Sequence, residues 1–218
     1  MIRVHQPEAA TARSLSDRAY YRIRELIVTL DLVPGSAVSE RELMERLQTG
    51  RTPVREALRR LAQERLVEVF PRRGILVSPV DVGDLGGLSE VRGELESFAA
   101  RLAAERASAA DRTELEALRD ALEQPEHDER TLMELDQRIH RHIHACAHNP
   151  FLEATLEEYY FLTLRIWFLA LDRVARLEDA IGEHRELLDA ILRSDAAGAA
   201  EAMRRHVAGF ERAIRAVL

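Results

Sequence analysis

Apolar residues in the first third of the chain recur at helical spacing and then switch to strand spacing. Tyr20, Ile23, Ile27 and Leu30 fall on one face of a helix that Ser14 or Ser16 can cap. Pro34, in Val33-Pro34-Gly35, biases the residue before it away from helical angles and stops that helix. Ser39-Glu40-Arg41-Glu42 has the Ser-x-x-Glu spacing of a capping box, which predicts a short second helix with Leu43 and Leu47 buried. Gln48-Thr49-Gly50 predicts a tight turn with Gly50 at positive φ. A third helix is predicted from about Thr52, with Pro53 at its first position, where a missing N–H costs nothing. Val54, Leu58 and Leu61 give it one apolar stripe. The period then falls to two: Leu66-Val67-Glu68-Val69-Phe70 and Gly74-Ile75-Leu76-Val77 predict two strands around Pro71-Arg72-Arg73. After an irregular arm over residues 1–13, residues 14–79 therefore outline a winged helix-turn-helix.

From Asp81 onward no segment reads as a strand. Six helical stretches are predicted, at about 82–107, 111–123, 128–148, 151–173, 177–194 and 196–217, jointed at Asp111, Asp128, Asn149-Pro150 and Ser194-Asp195. Short connections between amphipathic helices predict an antiparallel six-helix bundle over residues 80–218. The whole is a mainly α protein of two domains.

Charge changes this picture only once it is divided. Residues 1–79 hold 14 Arg against 10 Asp and Glu, a net +4, while residues 80–218 hold 17 Arg against 28, a net −11. A basic front on an acidic body points to nucleic-acid contact through the front alone. No apolar run reaches the ~20 residues of a membrane span, and Arg165 interrupts the stretch from Phe161 to Leu171. The start lacks the apolar core of a signal peptide, so a cytoplasmic protein is expected. The single cysteine, Cys146, excludes an internal disulfide.

Arg51-Thr52-Pro53-Val54-Arg55 puts two arginines and a hydroxyl at the start of the third helix, the end of a recognition helix that meets base edges. Arginine there can bond two acceptors of one guanine, and a helix N-terminus favours phosphate. Arg41 could reach the same strand, and Arg72 and Arg73 at the hairpin tip a neighbouring minor groove. The alternative is a solvated face paired with Glu40, Glu42 and Glu56. The stretch Val33-Pro34-Gly35, Ser39-Glu40-Arg41-Glu42-Leu43, Arg51-Thr52-Pro53-Val54-Arg55-Glu56-Ala57-Leu58 and Gly74 resembles the DNA-binding domain of GntR-family regulators. That resemblance implies operator contacts from Arg41, Arg51, Thr52 and Arg55, with Gly74 shaping the wing. Two positions depart from it: Gln48-Thr49-Gly50 replaces the usual Gly-Val-Ser, and Arg65 stands where a glycine is usual.

Asp136 and His140, four apart, share one helix face, and His184 and His206 lie on two later helices. Converging in a bundle core, they would form a divalent-metal site; on spacing alone, hydrogen-bonded core histidines fit as well. Asp136-x-x-x-His140, Asn149-Pro150, Glu183-His184, Asp195 and Met203-x-x-His206 resemble the FCD effector domain of the FadR subfamily, in its shorter VanR-like branch. The resemblance implies a metal on Asp136, His140, His184 and His206, for which one carboxylate and three imidazoles suit Zn or Ni, and a small carboxylate effector in the same pocket. It also turns Arg92 toward that pocket, where a guanidinium can fork onto a carboxylate; the alternative is an ion pair with Glu96. His144, one turn beyond His140, replaces a ligand, lines the pocket or packs, whereas His142 is expected on an exposed face. Tyr159-Tyr160-Phe161 and Trp167-Phe168 are expected in the core or a dimer interface.

The reading that joins both halves is a homodimeric transcription regulator, probing double-stranded operator DNA and answering to a small acid. A metal-dependent enzyme acting on a small organic acid is the alternative, since an open metal site can activate water. Against it, the paired Glu-x-x-His motifs of diiron bundles are missing, and His140-Arg141-His142-Ile143-His144 lacks the glutamate base of zinc peptidases.

Overall fold

A computed structural model describes residues 12–124, 129–170 and 177–217. Residues 1–11 of the expected arm and the Asp128 joint lie outside the described residues. Among those described there are nine α-helices and one two-stranded sheet, in two compact units. No helix among them is long and apolar enough to cross a membrane.

The first unit runs to Asp81 and includes Leu164–Leu169. Helix α1 (Leu15–Val28) is capped by Ser14, whose hydroxyl accepts from the Asp17 N–H at 2.9 Å. Tyr20, Ile23, Leu26 and Ile27 are buried. Leu30 does not continue the stripe: it lies past the helix end at φ 62°, half-buried. In α2 (Glu40–Leu47) the Ser39 hydroxyl accepts from the Glu42 N–H at 3.2 Å, Leu43 is buried and Leu47 half-buried. The following turn corrects the expectation for Gly50. Positive φ falls on Gln48 (48°), the residue that ends α2, while Gly50 is extended (φ −79°, ψ 173°) at the N-cap of the next helix. That helix, α3 (Arg51–Gln63), starts a residue earlier than predicted. Pro53 is thus its third residue, still among the four whose N–H has no helical partner.

Strands β1 (Val67–Phe70) and β2 (Gly74–Val77) pair antiparallel, with Val67 opposite Val77. The turn between them needs positive φ at Arg72 (68°) and Gly74 (95°). The backbone before α2 leans on β2, Val38 N–H donating to the Ile75 carbonyl at 2.8 Å. In the stretch Leu164–Leu169, buried Arg165 donates to the Ser78 carbonyl, and burial pulls its guanidinium down to about 10.

The second unit holds α4 (Leu85–Arg106), α5 (Ala109–Leu122), α6 (Glu129–Cys146), most of α7 (Pro150–Ala170), α8 (Leu177–Leu192) and α9 (Ala196–Arg215). Helix α4 is the hub, packing on α6, α8 and most extensively on α9. Small buried residues on both helices, Ala100, Ala103 and Ala104 on α4 and Ala199 and Ala202 on α9, allow close backbones. Leu115, Leu118, Ile139, Ile143, Leu187, Ile191 and Val207 fill the core around them. The joints are built from side chains. Ser108 and Asp111 form a reciprocal capping box on α5, Asn149 Oδ1 accepts from the first N–H groups of α7, and Asp195 caps α9 at the Gly198 N–H.

Candidate functional site

In the first unit, Arg51, Thr52, Arg55, Arg73 and Gly74 are all exposed, as expected of a surface that meets DNA. Glu40 on α2 receives Arg55 Nε at 3.0 Å from both oxygens, and Arg41 pairs with Glu45 at 3.2 Å. Both are solvent-exposed pairs, each worth at most about 1 kcal/mol and readily exchanged for phosphate or base contacts. Arg65 explains its departure from the family pattern structurally: it takes φ 59°, a conformation that glycine adopts without strain.

The second unit brings Asp136, His140, His184 and His206 together. All four are buried, and one donor atom from each lies within 4.8 Å of the others. His140 Nε2 is 3.1 Å from His206 Nε2, and Asp136 Oδ1 is 3.3 Å from His184 Nε2 and 3.7 Å from His140 Nε2. Ligands about 2.0–2.2 Å from one ion sit roughly 3–3.5 Å from each other, so the set fits a divalent cation.

What turns these atoms inward is a surrounding ring of partners. The Nδ1–H of His140 donates to Glu96 Oε2 at 2.7 Å, and that of His206 to Glu183 Oε2 at 2.9 Å. With each Nδ1 held by a carboxylate, the two rings present Nε2 to one another across 3.1 Å, a contact that needs a proton or a cation between them. Tyr160 completes the ring by donating its hydroxyl to Asp136 Oδ2 at 2.8 Å, leaving Oδ1 inward. Carboxylates behind ligating imidazoles are the usual means of fixing their tautomer.

Arg92 is buried and grips Glu96 Oε1 through Nε (2.6 Å) and Nη2 (2.5 Å). Burial works against the Glu96 charge, yet Arg92 and His140 hold the carboxyl well below its usual range. Burial lowers His140 too, but Glu96 and Asp136 outweigh it and raise the imidazole. Burial, reinforced by Asp136, pushes Tyr160 well above its usual value, so the phenol keeps the proton it donates. His144 is lowered by burial and stays neutral; its Nε2 is 3.7 Å from Glu96 Oε2, beyond hydrogen-bond reach. It falls outside the four-donor group and lines a cavity with Arg141, Glu153, Glu157, Tyr160 and Phe161. Tyr160 therefore touches both the cavity and the Asp136 cluster.

Three things were not visible in the sequence. Glu96 stood out only as a partner for Arg92, Tyr160 only as a core aromatic, and nothing in Glu183-His184 says that Glu183 serves His206. His142 is a correction. It is half-buried, and its Nε2 is 3.0 Å from the Asp111 carbonyl, because α5 begins against that face of α6.

An exposed basic recognition helix with its wing, joined in one chain to a helical unit with a buried ligand set, defines a one-component DNA-binding regulator. The comparisons place it more closely. Residues 15–77 match the bacterial regulatory proteins of the gntR family, and residues 87–209 match the FCD domain. The chain belongs to the GntR family, in its FCD-domain-containing FadR subfamily, and is a transcription regulator rather than an enzyme. It is 34% identical to an uncharacterized HTH-type transcriptional regulator in an unstable DNA locus of Streptomyces ambofaciens, over 86% of this chain and 80% of that protein. It is 28% identical to the galactonate operon transcriptional repressor of Escherichia coli K12, over 93% and 97%. The solved structure of E. coli McbR/YncC superposes with a TM-score of 0.78 at 25% identity, covering 92% of this chain and 99% of that one.

Proposed function

We propose that this regulator is a homodimeric repressor whose helical domain binds one divalent metal, Zn or Ni, and a small organic acid that changes its affinity for operator DNA. The observation that carries the proposal is the 3.1 Å approach of two Nε2 atoms whose Nδ1 atoms are held by Glu96 and Glu183. Asp136, His140, His184 and His206 would hold the ion, which supplies charge and open positions for a carboxylate. Arg92 offers a second anchor: Glu96 takes its Nε and Nη2, leaving the Nη1 edge. His144 and Tyr160 would line the acid's seat beside the metal. A relative named as repressor of a galactonate operon supports hydroxy and sugar acids as the first compounds to try.

On the DNA side, Arg51, Thr52 and Arg55 would read the major groove, Arg41 the phosphates and Arg73 the minor groove beside the wing. A twofold dimer would place two such helices on a near-palindromic site. Helix α7 is continuous from Pro150 to Ala170, carrying Tyr160 in the helical unit and Arg165 in the first unit. Elemental analysis of purified wild type and His184→Ala tests the metal: one ion per chain is expected, and full occupancy in the variant would refute the ligand set. Calorimetry with di- and tricarboxylates, hydroxy acids and sugar acids tests the effector, which should bind metal-loaded protein and lose affinity in Arg92→Ala.

A further inference from the structure

Another group of side chains able to ligate a metal lies where α5 begins against the end of α6. We propose that Asp111, His142 and Cys146 form a separate site for a borderline-soft divalent cation such as Zn2+ or Co2+, with His148 holding the carboxylate from outside. His142 and Cys146 are four apart on α6 and so share a face, and Asp111 comes from the first turn of α5. One donor atom from each of the three lies within 4.8 Å of the others. Thiolate, imidazole and carboxylate are the donors that zinc-like ions take.

The hydrogen bonds around the group leave its metal-facing capacity intact. Asp111 Oδ2 accepts from Ser108 N–H at 2.8 Å, Ser108 Oγ at 2.7 Å and His148 Nε2 at 2.9 Å, so Oδ1 remains for a cation. His142 gives its Nε2–H to the Asp111 carbonyl at 3.0 Å, which puts the ring's lone pair on Nδ1. Cys146 contributes the sulfur from the buried side, while Asp111 and His142 are half-buried and His148 is exposed, so an ion enters from the His148 side. His148 holds this position at φ 46°, a conformation more natural to glycine. On binding, the ion would replace the thiol proton, forming a metal–thiolate bond and releasing one proton to solvent.

Cys146 is the only sulfur nucleophile in the chain, and the Asp136 set contains none. A thiolate-to-cobalt charge-transfer band in the near ultraviolet therefore reports this site alone. Full-length, reduced, metal-stripped protein is titrated with Co2+ and followed by absorbance. Wild type and His184→Ala, which disables the central set, should both develop the band to saturation at one equivalent for this site. Cys146→Ser should lose it, and His142→Gln and Asp111→Asn should each weaken Co2+ affinity at least tenfold while retaining native circular dichroism. Absence of the band in folded wild type would overturn the proposal. So would a band whose Co2+ affinity is unchanged in both His142→Gln and Asp111→Asn.

Discussion

Which atoms of the histidine cluster face inward is decided by residues that would never touch a metal. Glu96 and Glu183 each take an Nδ1–H, and Tyr160 takes the outer oxygen of Asp136. Glu183 is half-buried. Glu183→Gln is expected to keep the fold and lower metal affinity roughly 10–100-fold, the range for losing such an outer partner; competition against a chromophoric chelator measures it. Glu96 differs, because its loss leaves Arg92 buried and unpaired, a change that costs about 3–5 kcal/mol. Glu96→Gln should accordingly lower the unfolding midpoint as well as metal affinity. In the first unit, Asp17 is held below its usual carboxylate value by the Ser14 hydroxyl and, against slight burial, by Arg60 at 2.8 Å. A depressed folded pKa gives stability that is present above the unfolded value of about 3.9 and lost as pH falls through the folded one. Urea midpoints of wild type and Asp17→Asn should therefore differ at pH 7 and draw together as the pH falls through the carboxylate range. A gap that persists unchanged through that range would assign the effect to packing.

At the scale of elements, α3 and the wing form the part of the account that most directly concerns DNA. The apolar stripe Val54, Leu58, Leu61 is buried where α3 packs on α1, while Arg51 and Arg55, in the first turns and flanking that stripe, stay exposed. Arg55→Ala and Arg51→Ala are each expected to weaken specific operator binding by about 1–3 kcal/mol, with a smaller loss on scrambled duplex at the same salt. Equal losses on both duplexes would reduce them to phosphate contacts. Gly74 turns the chain into β2 at φ 95° with open space where a Cβ would stand, so Gly74→Ala suffers from backbone strain rather than collision. About 1–2 kcal/mol of stability should be lost, read from urea unfolding. The elements themselves were legible because apolar periodicity and caps act locally: Ser14, Asn149 and Asp195 cap helices at the expected joints, and Ser39 supplies its own half of the expected capping box. Turn geometry was less so. Nothing local distinguishes Gln48 from Gly50 as the left-handed residue; that depends on where α3 must start, which is set by packing.

For the whole molecule, Asp136, His140, His184 and His206 could be named together from the chain because Asp136 and His140 share a helix face and the family pattern supplies His184 and His206; the structure gathers them into one buried cluster that could hold a metal. Their supporting carboxylates could not, since Glu96 and Glu183 meet their imidazoles across helix pairs 44 and 23 residues apart in sequence. His142 was misjudged for the same reason: its surroundings are made by the start of α5, not by its own helix. The central claim is that metal, acid and operator are energetically linked in one chain. It is tested most directly by operator affinity at fixed salt, measured for metal-loaded wild type, metal-stripped wild type and His184→Ala, each with and without the acid found by calorimetry. The account predicts that the acid shifts operator affinity about 5–150-fold in the metal-loaded protein, a coupling of roughly 1–3 kcal/mol, and leaves the other two unmoved. An equal shift in all three would contradict it.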